Sequence, residues 1–273
     1  QPDGRGVYGN AGNLRGNVAI SHPGPCRRHR GGGTMIGTRP VTAVIWDYDG
    51  TLVDTRAKNW RITRDIVRYL TGTDPDTIES LSSLDGYTVA LHHYYDWRHL
   101  YMTEFGMSEE TLSEAGRLWT EYQLSDDTVS PIYAGVESVL GKLRDLPHGI
   151  VSMNSKGNIE RSLGNASLLD RFESVIGYEE VSEARQKPAP DGLLMCLDQL
   201  TGMAPGHVAY VGDHQIDIEC ARNANEALTA DDYDIHVFSI GAAYGIGTES
   251  GAWPEEPDYT TQCPDDIASI VRR

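Results

Sequence analysis

The sequence predicts an α/β fold: a parallel sheet covered on both faces, with a helical segment inserted after the first strand. Three observations carry that expectation. Short apolar runs rich in β-branched residues recur along the chain with helical patterns between them, the alternation of a parallel sheet. Residues 56–130 contain no such run, only apolar positions at helical spacing. Acidic residues close two of the runs, at the strand ends where parallel sheets collect ligands.

Taken in chain order, residues 1–38 are rich in Gly, Arg and Pro and include Cys26-Arg27-Arg28-His29-Arg30 and Gly31-Gly32-Gly33. Such a segment buries too little apolar surface to order itself, so a disordered extension is expected, with Met35 as a candidate start and a basic interaction arm as the functional alternative. Val41-Thr42-Ala43-Val44-Ile45-Trp46 then reads as a buried strand feeding the acidic turn Asp47-Tyr48-Asp49-Gly50. In the strand-free stretch, Ile62, Ile66, Tyr69 and Leu70 mark one face of a helix, and Glu109–Gln123 forms another. Further strands are expected at Gly149–Met153, Ser174–Gly177, Val208–Gly212 and Ile235–Ile240. Helices are expected between them at Val136–Leu143, Asn158–Leu168, Pro190–Leu200 and Asp217–Asn225. These elements give a Rossmann-like core from residues 40–55 and 131–273, with a helical cap over 56–130.

Composition narrows the function classes. The 273 residues are 39% hydrophobic and 23% charged, enough for an ordinary packed core. No run of about 18 apolar residues occurs, so no membrane span is expected, and a soluble, cytoplasmic protein is. A formal charge of −17 opposes nucleic-acid binding, which needs a basic footprint. Lysine is confined to Lys58, Lys142, Lys156 and Lys187, and this Asp-rich, Lys-poor balance fits either a high-salt cytoplasm or an ordinary acidic enzyme. Cys26, Cys196, Cys220 and Cys263 lack the paired spacing of a zinc site and read as reduced thiols.

The chemistry is expected at the strand ends. Asp47 and Asp49 close the first strand, and Asp213 and Asp217 follow Val208–Gly212. Carboxylates gathered this way repel one another unless a cation separates them. Oxygen-only ligands select a hard ion, and Mg²⁺ takes few protein carboxylates, completing its shell with water and substrate phosphate. A lone Asp-x-Asp-Gly is also the pattern of a calcium loop or a plain acidic turn, so the assignment needs the partners that follow.

Asp47-Tyr48-Asp49-Gly50-Thr51-Leu52-Val53-Asp54 resembles the first motif of the haloacid dehalogenase superfamily. The resemblance implies that Asp47 is a nucleophile and Asp49 a general acid/base, a division the chemistry allows: one carboxylate attacks phosphorus, the other protonates the leaving oxygen and then activates water. Ser152 is similar to the Ser/Thr that binds the transferring phosphoryl group, and Lys187 in Lys187-Pro188-Ala189-Pro190 to the Lys that neutralises nucleophile and phosphate. Gly212-Asp213-His214-Gln215-Ile216-Asp217 is similar to the acidic metal motif. Asp47, Asp49 and Asp213 are thus the implied metal residues, and Asp217 acts in support, through water or by holding Lys187. One departure stands out: family members often carry Asn directly after the motif Ser, where this chain has Met153 and places Asn154 one later.

The expected protein is a Mg²⁺-dependent phosphatase of the phosphoglycolate-phosphatase-like branch, acting on a small phosphorylated metabolite through an aspartyl-phosphate on Asp47. A phosphosugar mutase of the β-phosphoglucomutase kind is the enzymatic alternative, although Asn59 stands where such mutases carry a His. A dehalogenase has no use for the acid/base that Asp49 supplies. A regulatory module that only recognises phosphate is the alternative from another class. Within the cap, Arg56, Lys58, Arg61, Arg64 and Arg68 share one helix, where solvated roles are the default. His92, His93, Tyr94, Tyr95, Trp97 and Arg98 form a polar-aromatic cluster that could close over a substrate, although packing or surface roles are the default for each taken singly, and His214 is expected beside the metal or at the surface rather than as a ligand.

Overall fold

A computed structural model describes residues 40–245 and 253–273. The expected extension over residues 1–38 lies outside the described residues. Strands β1 (Val41–Trp46), β2 (His148–Val151), β3 (Ser174–Ile176), β4 (Gly206–Gly212), β5 (Ile235–Ala242) and β6 (Tyr259–Thr261) form one sheet in the order β3-β2-β1-β4-β5-β6. Every neighbouring pair is parallel, so all six carboxyl ends open on one edge. The Rossmann-like α/β fold expected from the sequence is therefore the fold observed.

The apolar runs are continuous because both faces of the sheet are covered. Side chains alternate along β1, so Val44 and Trp46 join Val136, Val139, Leu140, Ile159, Leu163 and Ile267 on one face. Ala43 and Ile45 join Leu193, Leu197, Ala221, Ala224 and Leu228 on the other. The first layer comes from α5 (Val136–Lys142), α6 (Lys156–Asn165) and α9 (Pro264–Val271), the second from α7 (Asp191–Thr201) and α8 (Gln215–Ala230). Each fully buried Val, Leu or Ile contributes about 1.5–3 kcal/mol, so truncating Ile45 or Leu197 opens a cavity at the sheet centre. Trp46 Nε1 donates to His148 Nδ1 at 3.1 Å, which holds the buried imidazole neutral, and burial pushes its pKa down to about 4.

Between β1 and β2 the chain is helical: α1 (Arg56–Thr71), α2 (Leu84–His93), α3 (Trp97–Phe105) and α4 (Glu109–Ser125). Ser83, Asp96 and Ser108 each accept a backbone N–H at the start of α2, α3 and α4, the standard use of short polar side chains as caps. Their inner faces share a separate apolar cluster around Ile62, Ile66, Tyr87, Leu100, Leu112 and Leu118. Tyr69, expected on that face, is exposed instead.

Other differences have local causes. The α8 helix runs to Ala230 rather than Asn225, because Ala227 and Leu228 continue its buried stripe. Strand β6 has three residues, too short to show a period. Cys196 and Cys220 are buried free thiols, while Cys263 is disulfide-bonded rather than reduced. Among the described residues no helix is long and apolar enough to cross a membrane.

Candidate active site

Strands β1 and β4 are neighbours in register, Trp46 beside Val211, so the residues that follow them arrive together. Asp47 N donates to Val211 O at 2.8 Å, which ties the turn after β1 to the end of β4. Gly50 then takes φ +77°, a left-handed conformation that side chains resist, and a Cβ there would lie 2.1 Å from Asp213 Oδ2. Only glycine lets the turn pass so close to that carboxylate.

The structure brings Asp47, Asp213 and Asp217 together, all buried, with ligand oxygens within 4.8 Å of one another. Lys187 arrives from the loop before α7 and places Nζ 2.6 Å from Asp47 Oδ1 and 2.6 Å from Asp217 Oδ1. Asp217 is fixed twice more: Tyr210 OH donates to Oδ1 at 3.0 Å and His214 N to Oδ2 at 3.1 Å, closing a capping box at the start of α8. Thr51 Oγ1 donates to Asp213 Oδ1 at 3.4 Å.

One ammonium does not balance three buried carboxylates. Burial pushes the Asp47 pKa up to about 8, with the charges of Asp217 and Asp49 adding to the shift and Lys187 opposing it. Asp213 is also driven well above the usual carboxylate range, by burial first and then by Asp47. For Lys187 burial disfavours the charge, but Asp217 and Asp47 outweigh it and hold the ammonium protonated. The site therefore has room for one more cation, and its all-oxygen donor set suits a hard divalent ion.

Ser152 follows β2, buried, with Oγ accepting from Asn154 N at 3.1 Å, and lines one small cavity with Lys187. Asp49, expected as a metal residue with Asp47 and Asp213, is not in the group that Asp47 and Asp213 form with Asp217. Its oxygens instead accept amide donors, Asn154 Nδ2 at 3.0 and 3.3 Å and Asn59 Nδ2 at 3.3 Å. The Asn displaced by one position in the sequence thus reaches the site through its side chain.

Among the cap residues, Arg68 makes an exposed pair with Asp65, as solvated helix residues do, and the exposed Arg61 pairs with the half-buried Asp126. Arg64 reaches Asp76 and Leu81 O, and Arg56 clamps Asp54 through two nitrogens. Lys58 departs from the expectation: it is buried, with Nζ on Gln123 O at 2.9 Å. His92, His93, Tyr94 and Tyr95 line a cleft of about 240 Å³ together with Asp213 and His214. Trp97 and Arg98 do not: Arg98 stacks on Trp97 and pairs with Glu183. His92 Nε2 lies 4.0 Å from Asp213 Oδ2, and its pKa falls to about 3 through burial, His214 and Arg56.

Sequence reasoning missed Tyr210, Thr51, Asn59 and Gln123. A tyrosine in a buried strand needs a partner for its hydroxyl, which was the available signal for Tyr210. For Asn59 the signal was its place where related mutases carry a His, and Gln123 offered none.

The chain matches the family model of haloacid dehalogenase-like hydrolases over residues 44–230. Pyrophosphatase PpaX of Listeria welshimeri is 29% identical over 243 residues, covering 86% of this chain and 98% of the relative. The phosphoglycolate phosphatase of Chromobacterium violaceum is 29% identical over 239 residues, covering 77% and 98%. A haloacid dehalogenase-like family hydrolase from Streptococcus pneumoniae superposes with a TM-score of 0.62 at 18% identity, covering 84% of this chain and 98% of that one. A subfamily IA hydrolase of the same superfamily from Geobacter sulfurreducens gives 0.57 at 20%, covering 84% and 99%. At such identities the two structures speak for the fold alone.

Proposed function

The chain belongs to the haloacid dehalogenase-like hydrolase family, and from that premise we propose that it is a Mg²⁺-dependent phosphatase of small phosphorylated metabolites, forming an aspartyl-phosphate on Asp47. The observation that carries the reading is the set of three buried carboxylates, Asp47, Asp213 and Asp217, served by the single ammonium of Lys187. That set leaves negative charge uncompensated where a hard cation and a phosphate would meet. Asp47 and Asp213 would hold the ion, which when bound neutralises charge on the attacking carboxylate and on the phosphoryl oxygens.

The residues then divide the work. Asp47 Oδ attacks phosphorus, the P–O bond to the leaving group breaks, and Asp49 delivers a proton to the departing oxygen. Asp49, now a carboxylate, takes a proton from water as the water oxygen attacks phosphorus and the bond to Asp47 breaks, releasing inorganic phosphate. Lys187, held by Asp217, faces the nucleophile and offers its remaining donor to a phosphoryl oxygen, with Ser152 Oγ, which lines the same small cavity, as a second donor. The turn at Gly50 keeps Asp47 and Asp49 two residues apart with distinct surroundings, which suits one as nucleophile and the other as proton carrier.

The test is hydrolysis of p-nitrophenyl phosphate, expected with Mg²⁺, abolished by EDTA and suppressed by Ca²⁺, whose larger and looser shell misplaces the nucleophile. Full turnover in metal-free buffer would reject the reading. Pyrophosphate and phosphoglycolate, the substrates in the relatives' names, belong in the panel that then ranks natural substrates.

A further inference from the structure

Asp49 lies at the end of a one-way chain of amide hydrogen bonds that starts at two cations. Lys58 Nζ and Arg161 Nη2 both lie 3.4 Å from Asn158 Oδ1. Neither cation can accept, so Asn158 must turn its oxygen towards them and its NH₂ away. Asn158 Nδ2 donates to Gln123 Oε1 at 3.4 Å and to Asn154 Oδ1 at 3.2 Å. Gln123 Nε2 donates to Asn59 Oδ1 at 2.7 Å, and Asn59 Nδ2 donates in turn to Asp49 Oδ1 at 3.3 Å. The second branch runs from Asn154 Nδ2 to Asp49 Oδ2 at 3.0 Å. Every link passes a donor forward, and both branches end on one carboxylate.

The four amides of the ring are closed to water. Asn59, Gln123, Asn154 and Asn158 are buried, so each amide must find protein partners, and reversing one would set oxygen against oxygen along the branch. The cations are themselves fixed by the carboxyl end of α4: Lys58 Nζ and Arg161 Nη2 donate to Gln123 O at 2.9 and 2.6 Å, and Arg161 Nη1 donates to Leu124 O. A helix terminus with unpaired carbonyls favours positive charge there. Gln123 therefore joins the helical segment to the core through both its backbone and its side chain.

We propose that Gln123 is a positioning residue: through Asn59 it fixes which donors face Asp49, and so sets the carboxyl group where the leaving oxygen receives its proton. The proposal rests on the phosphatase reading of Asp49. Lys58 and Arg161 give the chain its polarity, which accounts for a buried lysine that the reaction itself does not use. Gln123 touches no reacting atom, and its effect passes through its partners Asn59 and Asn158.

The experiment is a leaving-group series read as the single-turnover rate of phenol release with Mg²⁺, from p-nitrophenyl phosphate, whose phenolate leaves unaided, to phenyl phosphate, whose phenolate needs the proton. Asp49→Asn supplies the reference for a missing donor. Gln123→Glu keeps the shape but cannot donate to Asn59 Oδ1, and Gln123→Met removes both polar atoms. For both variants phenyl phosphate should lose on the order of 100-fold and p-nitrophenyl phosphate under about tenfold, in line with a general acid's usual worth. Unequal losses of this kind cannot come from a general loss of fold. Equal losses on all esters, or no loss on any, would overturn the positioning role. If Asp49→Asn slows that first release from every ester alike, Asp49 is not the acid and the proposal falls with that reading. Absence of hydrolysis by the unaltered protein would instead reject the phosphatase reading at its root.

Discussion

Lys187 Nζ sits at 2.6 Å from both Asp47 Oδ1 and Asp217 Oδ1, a buried ammonium shared by two buried carboxylates. Removing one member of such a group leaves uncompensated charge in the interior, which costs about 3–5 kcal/mol. Lys187→Met should therefore lower the melting temperature sharply, and Mg²⁺ should restore part of the loss by supplying the missing charge. Turnover should fall on the order of 100- to 1,000-fold even where the variant is folded, because a donor to the phosphoryl group is gone. An unchanged melting temperature in EDTA would show that the pair is not the electrostatic keystone described above.

Gly50→Ala tests the close approach of two loops. The left-handed backbone costs alanine about 1–2 kcal/mol. The larger effect is steric, since the new Cβ falls 2.1 Å from Asp213 Oδ2 and must displace that carboxylate. A variant that stays folded but needs much more Mg²⁺ for half-maximal rate is the expected outcome of a metal titration.

The carboxylates of the candidate site were legible in the sequence, and the network around Asp49 was not. Asp47 and Asp213 could be read because charged residues beside buried strands are costly unless they serve a site, and a parallel sheet fixes where those strand ends meet, whereas Lys187 was read from the resemblance of its motif. Asn59 and Gln123 lie on amphipathic helices, where an amide is normally solvated, and the bond joining them spans 64 residues. Lys58 failed for the same reason: its helix pattern does not reveal that the carboxyl end of α4 lands on it. The core helices could be located from their periodicity, whereas α2 and α3 were not placed individually.

Stability of the metal-free protein should fall as pH rises through neutrality. Asp47 has a folded pKa near 8 against an ordinary value of 3.8, so above the lower value the unfolded chain releases a proton that the folded one retains, and stability is lost until the higher value is passed. Asp213 shifts the same way. His92 and His148, depressed to about 3 and 4, act oppositely but only below their ordinary 6.5. Between pH 6.5 and 8 the carboxylates thus act alone. Melting temperatures in EDTA should decline across that window, and the rise on adding Mg²⁺ should be larger at pH 8 than at 6.5. A flat EDTA profile would contradict the burial of uncompensated charge.

The two carboxylates of the first turn are assigned to different moments of the cycle, and trapping can separate them. Asp47→Asn removes the nucleophile, so neither phosphate release nor a phosphoenzyme should be seen. In Asp49→Asn the amide cannot take a proton from water. With p-nitrophenyl phosphate, whose leaving group needs little protonation, phosphorylation should proceed while hydrolysis of the acyl phosphate stalls. Intact-protein mass spectrometry of acid-quenched Asp49→Asn should show one added phosphoryl group, absent from Asp47→Asn. Asn59 Nδ2 and Asn154 Nδ2 now face a neutral amide, which can still offer its oxygen to one of them, so the turn should hold and the comparison remain fair. A phosphoryl group found on any residue other than Asp47 would overturn the assignment of the nucleophile.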